Sequence, residues 1–283
     1  MSSELTMTRE SSSAFAGARP RTVTASRSTG QRRASSVSRL LFHPGIREVL
    51  LLAALWIAYS ASRMLADHDL VSARQRAADV LNIEGFLHLD IESWLNSTLG
   101  TMPSIAVPMS FWYASLHYLV TPAVLVFIFW KHRSDYRRAR NGLVIGSAIG
   151  LVAYVLIPTA PPRLMGAGYV DALAQTAAYG WWSGHASAPA GLGGMTNELA
   201  AMPSLHVGWT VWVAWAMWRY VKRTGHVLSV LYVAGTTLVV VATGNHWLLD
   251  AIMGAVVVAI GIVAATRMAE RSAPKPVEPT PSW

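Results

Sequence analysis

Six apolar segments alternate with more polar connections along most of the chain. Each approaches the roughly 20 residues that a helix needs to cross a bilayer. They lie at about 47–65, 105–130, 141–158, 204–218, 227–244 and 247–266. The pattern predicts an all-α membrane protein with six transmembrane helices. The first segment is the weakest, because its charge-free part covers only 49–62 and Arg63 must extend toward the interface.

Acidic and apolar residues are interleaved between the first two segments, over 67–101. This pattern is typical of amphipathic helices that rest on a membrane surface. We expect one or two such helices, on the extracytoplasmic side. Glu84, Asp90 and Glu92 are expected on their solvated face.

The two ends of the chain differ from this apolar middle. Residues 1–45 are rich in Ser, Thr and Arg without periodicity, which predicts a disordered basic tail. Residues 46–268 form the predicted six-helix membrane domain, and 269–283 form a second disordered tail. A basic tail also suggests nucleic-acid binding, but beside a membrane helix it more often sets orientation or contacts anionic lipid. We therefore expect membrane lipids and no nucleic acid as partners.

The composition agrees with a membrane protein and limits its chemistry. Of the 283 residues, 53% are hydrophobic and only 13% are charged. No cysteine is present, which excludes disulfides, thiolate metal sites and cysteine nucleophiles. Histidine, aspartate and arginine must therefore supply any catalytic groups.

The basic residues are distributed unevenly over the connections. With six spans, nineteen Lys and Arg residues fall on one side and four on the other. The positive-inside rule then places both termini in the cytoplasm. Arg163, His206, His246 and Asp250 all follow or begin spans on the opposite side, so this cluster is predicted to be extracytoplasmic, at the cell membrane.

Two polar clusters interrupt the apolar pattern at helix starts. One is Pro203-Ser204-Leu205-His206, and the other runs from Asn245-His246-Trp247 to Asp250. Residues four apart on a helix share a face, so a carboxylate at 250 can orient an imidazole at 246. Ionisable groups at membrane depth are costly and are functional candidates by default.

These clusters resemble the second and third motifs of the type 2 phosphatidic acid phosphatase superfamily. The third motif and Pro158-Thr159-Ala160-Pro161-Pro162-Arg163 resemble more closely its inositolphosphotransferase branch, which includes inositol phosphorylceramide synthase-like proteins. The resemblance covers about 56–265. It implies a helical core of that family's type, with no metal and no other cofactor.

The resemblance also implies roles for these residues. His246 is the expected nucleophile, Asp250 orients it, and His206 is the general acid and base. The expected substrate-binding residues are Arg163, Ser204, Asn245, Tyr113 and His117, although His117 could instead be a packing histidine. The larger superfamily has two further cations where this chain has Leu156 and Val240. Arg74, Arg76 or His117 would have to compensate.

The substrate that the resemblance implies is a lipid phosphate or phospholipid, with a polyprenyl phosphate or an inositol-containing acceptor as further candidates. Hydrolysis and transfer both remain open. The segment 161–200 contains Trp181 and Trp182 and is long enough to form a lid over the site. A non-catalytic transporter or scaffold with the same fold is the alternative function.

Overall fold

The computed structural model describes residues 44–65, 69–166, 168–182, 197–221 and 223–272. The chain divides into two compact units, Met1–Leu52 and Ala53–Trp283. The described part of the first unit is the start of helix α1 (Pro44–Leu65). Most of both predicted tails lies outside the described residues, so the predicted division of the chain stays a prediction.

The described part of the second unit is helical, apart from an isolated bridge between Thr159 and Ala200 and the connecting loops. Its α-helices are, in chain order, α2 (Leu70–Phe86), α3 (Glu92–Gly100), α4 (Pro103–Phe111), α5 (His117–Lys131), α6 (Arg133–Leu156), α7 (Ala172–Gln175), α8 (Leu205–Tyr220), α9 (Arg223–Ala242) and α10 (Leu248–Arg271). A π-helical turn, Trp112–Leu116, joins α4 to α5 without interruption.

Four of these helical stretches are long and apolar enough to cross a membrane. They are Pro103–Lys131, Arg133–Leu156, Arg223–Ala242 and Leu248–Arg271. Each corresponds to a predicted span, although α6 begins eight residues earlier than predicted. The prediction of an apolar, helical membrane protein therefore agrees with the structure.

The six-span count is not confirmed. The predicted span at 204–218 corresponds to α8, which has 16 residues. At about 1.5 Å per residue it is shorter than the ~30 Å hydrocarbon core. The weakest predicted segment corresponds to α1, which has 22 residues but is not among the four. Six spans therefore remain a prediction.

Helix α10 packs against α6 and α8, and α8 also packs against α9. Glycines allow the closest approaches. A Cβ atom at Gly261 would lie 2.5 Å from the carbonyl oxygen of Gly142 on α6. A Cβ atom at Gly254 would lie 2.0 Å from the carbonyl oxygen of Ser204, the residue before α8. Small residues of this kind bring membrane helices together by backbone contact.

Two helices, α2 and α3, occupy the predicted 67–101 region. Large apolar side chains of this region face outward, with Phe86 84% exposed and Trp94 68% exposed. The expectation for the acidic residues was correct for Asp90, which is exposed. It was wrong for Glu84 and Glu92, which are both 0% exposed. Glu84 continues the buried face formed by Ala73, Ala77 and Val80, and so points into the protein.

Candidate active site

The loop between α9 and α10 places His246. Gly244 has a φ of 74°, a left-handed conformation that glycine adopts without strain. The backbone N–H groups of Asn245 and His246 then both donate to the carbonyl oxygen of Val240, at 3.2 and 3.1 Å. The turn is closed by the backbone, and His246 is held in a buried position, 3% exposed.

A backbone carbonyl orients the His246 ring. Nδ1 lies 2.8 Å from the carbonyl oxygen of Ala201. A carbonyl oxygen only accepts, so Nδ1 carries the hydrogen and Nε2 keeps its lone pair. The carboxylate of Asp250 lies further away, with Oδ2 3.5 Å from Nδ1. Asp250 was expected to orient this ring; in the structure Ala201 makes the short hydrogen bond, and the Asp250 carboxylate lies beside the same nitrogen.

The protonation state of His246 suits a nucleophile. Burial lowers the pKa of His246 to about 4, the hydrogen bond to Ala201 opposes this shift, and the Arg163 charge adds to it. The imidazole is consequently neutral at physiological pH, with its Nε2 lone pair available to attack an electrophile.

His206 lies in the first turn of α8 and faces His246. The centroids of the two rings are 5.5 Å apart. Nε2 of His206 is buried and has no hydrogen-bond partner among the described residues. The N–H of Ser204 donates to the carbonyl oxygen of Asp250 at 2.8 Å, which ties the start of α8 to α10. This backbone bond fixes the distance between the two histidines.

Tyr113 and His117 form a wall beside His206. Tyr113 stacks on the His206 ring at 4.3 Å between centroids, and His117 meets the same ring edge-on at 4.2 Å. Both residues lie at the π-helical turn, a distortion that often occurs at functional sites. The structure thus brings both predicted residues into contact with a predicted catalytic residue.

Arg163 completes the cluster. Its Nε donates to Oδ1 of Asn245 at 3.0 Å, and its backbone N–H donates to the carbonyl oxygen of Gly244 at 2.9 Å. Asn245 is held in turn by Oγ1 of Thr243, at 3.0 Å. The guanidinium, whose side chain is only 4% exposed, also has Asp171 at 4.0 Å. Its charge acts on His246.

The sequence profile of the PAP2 superfamily matches residues 78–264, about two thirds of the chain. The chain belongs to the PAP2 superfamily. Comparison with curated proteins and with solved structures gives no match. Members of the superfamily are generally phosphatases or phosphotransferases, and the four apolar helices fit a membrane protein of that kind.

The larger PAP2 superfamily has cationic residues at two positions where this chain has Leu156 and Val240. These two positions have different surroundings. Leu156 is 72% exposed, whereas Val240 is fully buried in the hydrophobic core. Of the proposed substitutes, Arg74 and Arg76 bind backbone rather than the histidines. Their Nε atoms donate to the carbonyl oxygens of Leu164 and Pro158, on either side of Arg163. They therefore hold the loop that carries Arg163, and His117 is the candidate that contacts His206.

Three groups at this PAP2 site were missed by sequence reasoning. Ala201 acts through its backbone carbonyl, which cannot be recognised from the type of its side chain. The carboxyl groups of Glu84 and Glu92 bind the start of α10, together with Asp250. Three successive N–H groups donate to them: Trp247 to Asp250 Oδ2 at 2.9 Å, Leu248 to Glu92 Oε1 at 2.8 Å and Leu249 to Glu84 Oε1 at 2.5 Å.

Proposed function

We propose that this protein is an integral membrane lipid-phosphate phosphatase or phosphotransferase that works through a phosphohistidine. The observation that carries the proposal is the pair of buried histidines. The Nδ1–H of His246 is engaged by Ala201, which leaves Nε2 as the nucleophile, and Nε2 of His206 has no partner among the described residues. Such a pair can divide a phosphoryl transfer into two steps.

In the first step, Nε2 of His246 attacks the phosphorus atom of the substrate. The N–P bond forms and the P–O bond to the leaving group breaks. His206, which takes up a proton from solvent as the anionic substrate binds beside its buried Nε2, gives that proton to the leaving oxygen. Arg163 stabilises the charge on the phosphoryl oxygens, since a guanidinium can donate two parallel hydrogen bonds to phosphate. Asp250 stabilises the positive charge that develops on the His246 ring.

In the second step, water or an acceptor hydroxyl attacks the phosphorus atom of the phosphohistidine. The N–P bond breaks, and His206 takes the proton of the attacking hydroxyl. His246 returns to its neutral form, and His206 releases the proton to solvent when the product leaves. The same two residues therefore serve hydrolysis and transfer, and the acceptor decides the product.

The surroundings of the site support a lipid substrate. Apolar helices carry the site, so a phosphate joined to a lipid can reach it from the bilayer. The nineteen-to-four split of basic residues supports an extracytoplasmic site with both termini in the cytoplasm. An anionic phospholipid or a polyprenyl phosphate is the proposed donor.

The proposed lid, 161–200, lies partly outside the described residues, which omit 167 and 183–196. Of its two tryptophans, Trp181 is 45% exposed and Trp182 is buried. The Nε1–H of Trp182 donates to the carbonyl oxygen of Leu173 at 3.0 Å, and its ring meets Phe111 edge-on at 4.9 Å. The last described residue before the gap, Trp182, is thus anchored in the core. A closed segment that excludes water would favour an acceptor alcohol.

The test is product analysis with purified protein. Phosphatidic acid and a polyprenyl phosphate serve as donors, each with and without inositol or a lipid alcohol, and each with and without chelator. We expect donor consumption that rises when the acceptor is added, with equal rates in chelator. If inorganic phosphate were the product and donor consumption did not change when the acceptor was added, transfer would be contradicted and the protein would be a plain phosphatase. No consumption of any donor would contradict the proposed function itself.

A further inference from the structure

Glu84 and Glu92 are two buried acids from different helices that meet at the start of α10. Each uses one oxygen, Oε1, to accept a backbone N–H of that helix. Their second oxygens, Oε2 in both, are buried and have no partner among the described residues. The two N–H groups belong to adjacent residues, so the two carboxyl groups lie beside each other, and each acts on the pKa of the other.

Two ionised carboxylates cannot hydrogen-bond to each other, because both only accept. A single proton between them provides the missing donor and satisfies both oxygens. The pair then carries one negative charge instead of two. Paired carboxyl groups in one site commonly share a proton for this reason.

The surrounding charges favour the shared proton. Burial raises the pKa of Glu84 to about 8, the Leu249 N–H opposes the shift, and the charges of Glu92 and Asp250 add to it. Burial likewise raises the pKa of Glu92, to which the charge of Asp90 contributes. Tyr169, in the loop after Arg163, also interacts with both glutamates. Losing the proton would place two anions beside the Asp250 carboxylate.

We infer that Glu84 and Glu92 share one proton and that this pair positions the catalytic His246–Asp250 segment. The pair holds the N–H groups of Leu248 and Leu249, while Asp250 holds that of Trp247. Because these residues follow His246 directly, the pair sets where the imidazole lies without touching a substrate. The catalytic part of this inference rests on the proposed function; the shared proton does not.

Glutamine variants test the shared proton, because glutamine should replace either glutamate singly but not both together. In Glu84→Gln, the amide oxygen still accepts the Leu249 N–H, and the amide NH₂ donates to Glu92 as the proton did. Glu92→Gln does the same from the other side. The double variant places two NH₂ donors against each other and leaves no acceptor between them. Asp79→Asn, which removes an exposed carboxylate from the same helix α2, is the matched control.

The readout is the unfolding temperature of detergent-purified protein between pH 5 and pH 9, which needs no substrate. In the wild type, the folded pair keeps a proton that the unfolded chain releases above about pH 4.5, so stability should fall as pH rises toward about 8. We expect the wild type and Asp79→Asn to lose several degrees over this range. Each single glutamine variant should lose less, and the double variant should unfold at a lower temperature throughout.

Two results would overturn the shared proton. One is the same pH dependence in both single variants as in the wild type. The other is a double variant as stable as the single ones. If the pair positions His246, turnover of a lipid phosphate should decline at alkaline pH as the shared proton is lost. This decline should shift to higher pH in Glu84→Gln, and an unshifted decline would contradict the positioning role. Absence of turnover in every protein, with the unfolding pattern intact, would count against the proposed function alone.

Discussion

Replacing either His246 or His206 with asparagine is expected to lower turnover of a lipid phosphate by at least about 100-fold. In the proposed mechanism the two histidines do different chemistry, since His246 forms the bond to phosphorus and His206 moves the proton. Asparagine cannot form the phosphorylated intermediate or move a proton at neutral pH. The measurement is initial-rate kinetics of the purified variants with the donor that the wild type uses.

His88→Asn is the matched control for this pair. His88 is exposed and has a φ of 56°, a conformation that asparagine tolerates. We expect this variant to retain wild-type kinetics. Wild-type turnover in either site variant, with unchanged folding, would show that the histidine is not catalytic.

Replacing Gly254 with alanine is expected to cost about 1–3 kcal/mol of stability or more, together with most of the activity. The added methyl group would lie 2.0 Å from the carbonyl oxygen of Ser204, which is backbone and cannot rotate away. The start of α8 must then move off α10. That shift would stretch the hydrogen bond from Ser204 to Asp250 and displace His206 from His246.

Gly85→Ala is the control for the glycine substitution, measured by unfolding temperature and by turnover. It adds the same methyl group to α2, where the new Cβ meets nothing within 4 Å apart from its chain neighbours and the backbone of its own helix. A small gain in stability is expected there, because alanine favours a helix over glycine. Equal behaviour of the two variants would mean that the close packing of α8 on α10 is not needed.

The sequence was most informative where local spacing determines the chemistry. His206, His246, Asp250 and Arg163 were predicted from short motifs, and the structure places them in one cluster. The loop Thr243–Trp247 explains why: its backbone bonds to Val240 fix the histidine locally. The long apolar helices were also predicted well, since length and hydropathy alone determine them.

The errors arose where distant parts of the chain meet. Ala201 binds His246 through its backbone, so no side-chain type could have revealed it. Glu84 did have a signal, because it continues the helical spacing of Ala73, Ala77 and Val80 on the buried face. The alternation of acidic and apolar residues obscured that spacing. Glu92 had no comparable signal, since its burial depends on α10 from the far end of the chain.

Detection of a phosphohistidine on His246 tests the proposed mechanism most directly. Purified protein is mixed with a lipid phosphate labelled at phosphorus, quenched in alkali during steady-state turnover, and digested for mass spectrometry. The mechanism predicts label on the peptide that contains His246, on its imidazole ring, and no label in His246→Asn. A wild-type protein that turns over the donor without any labelled histidine, or a label that persists in His246→Asn, would contradict it.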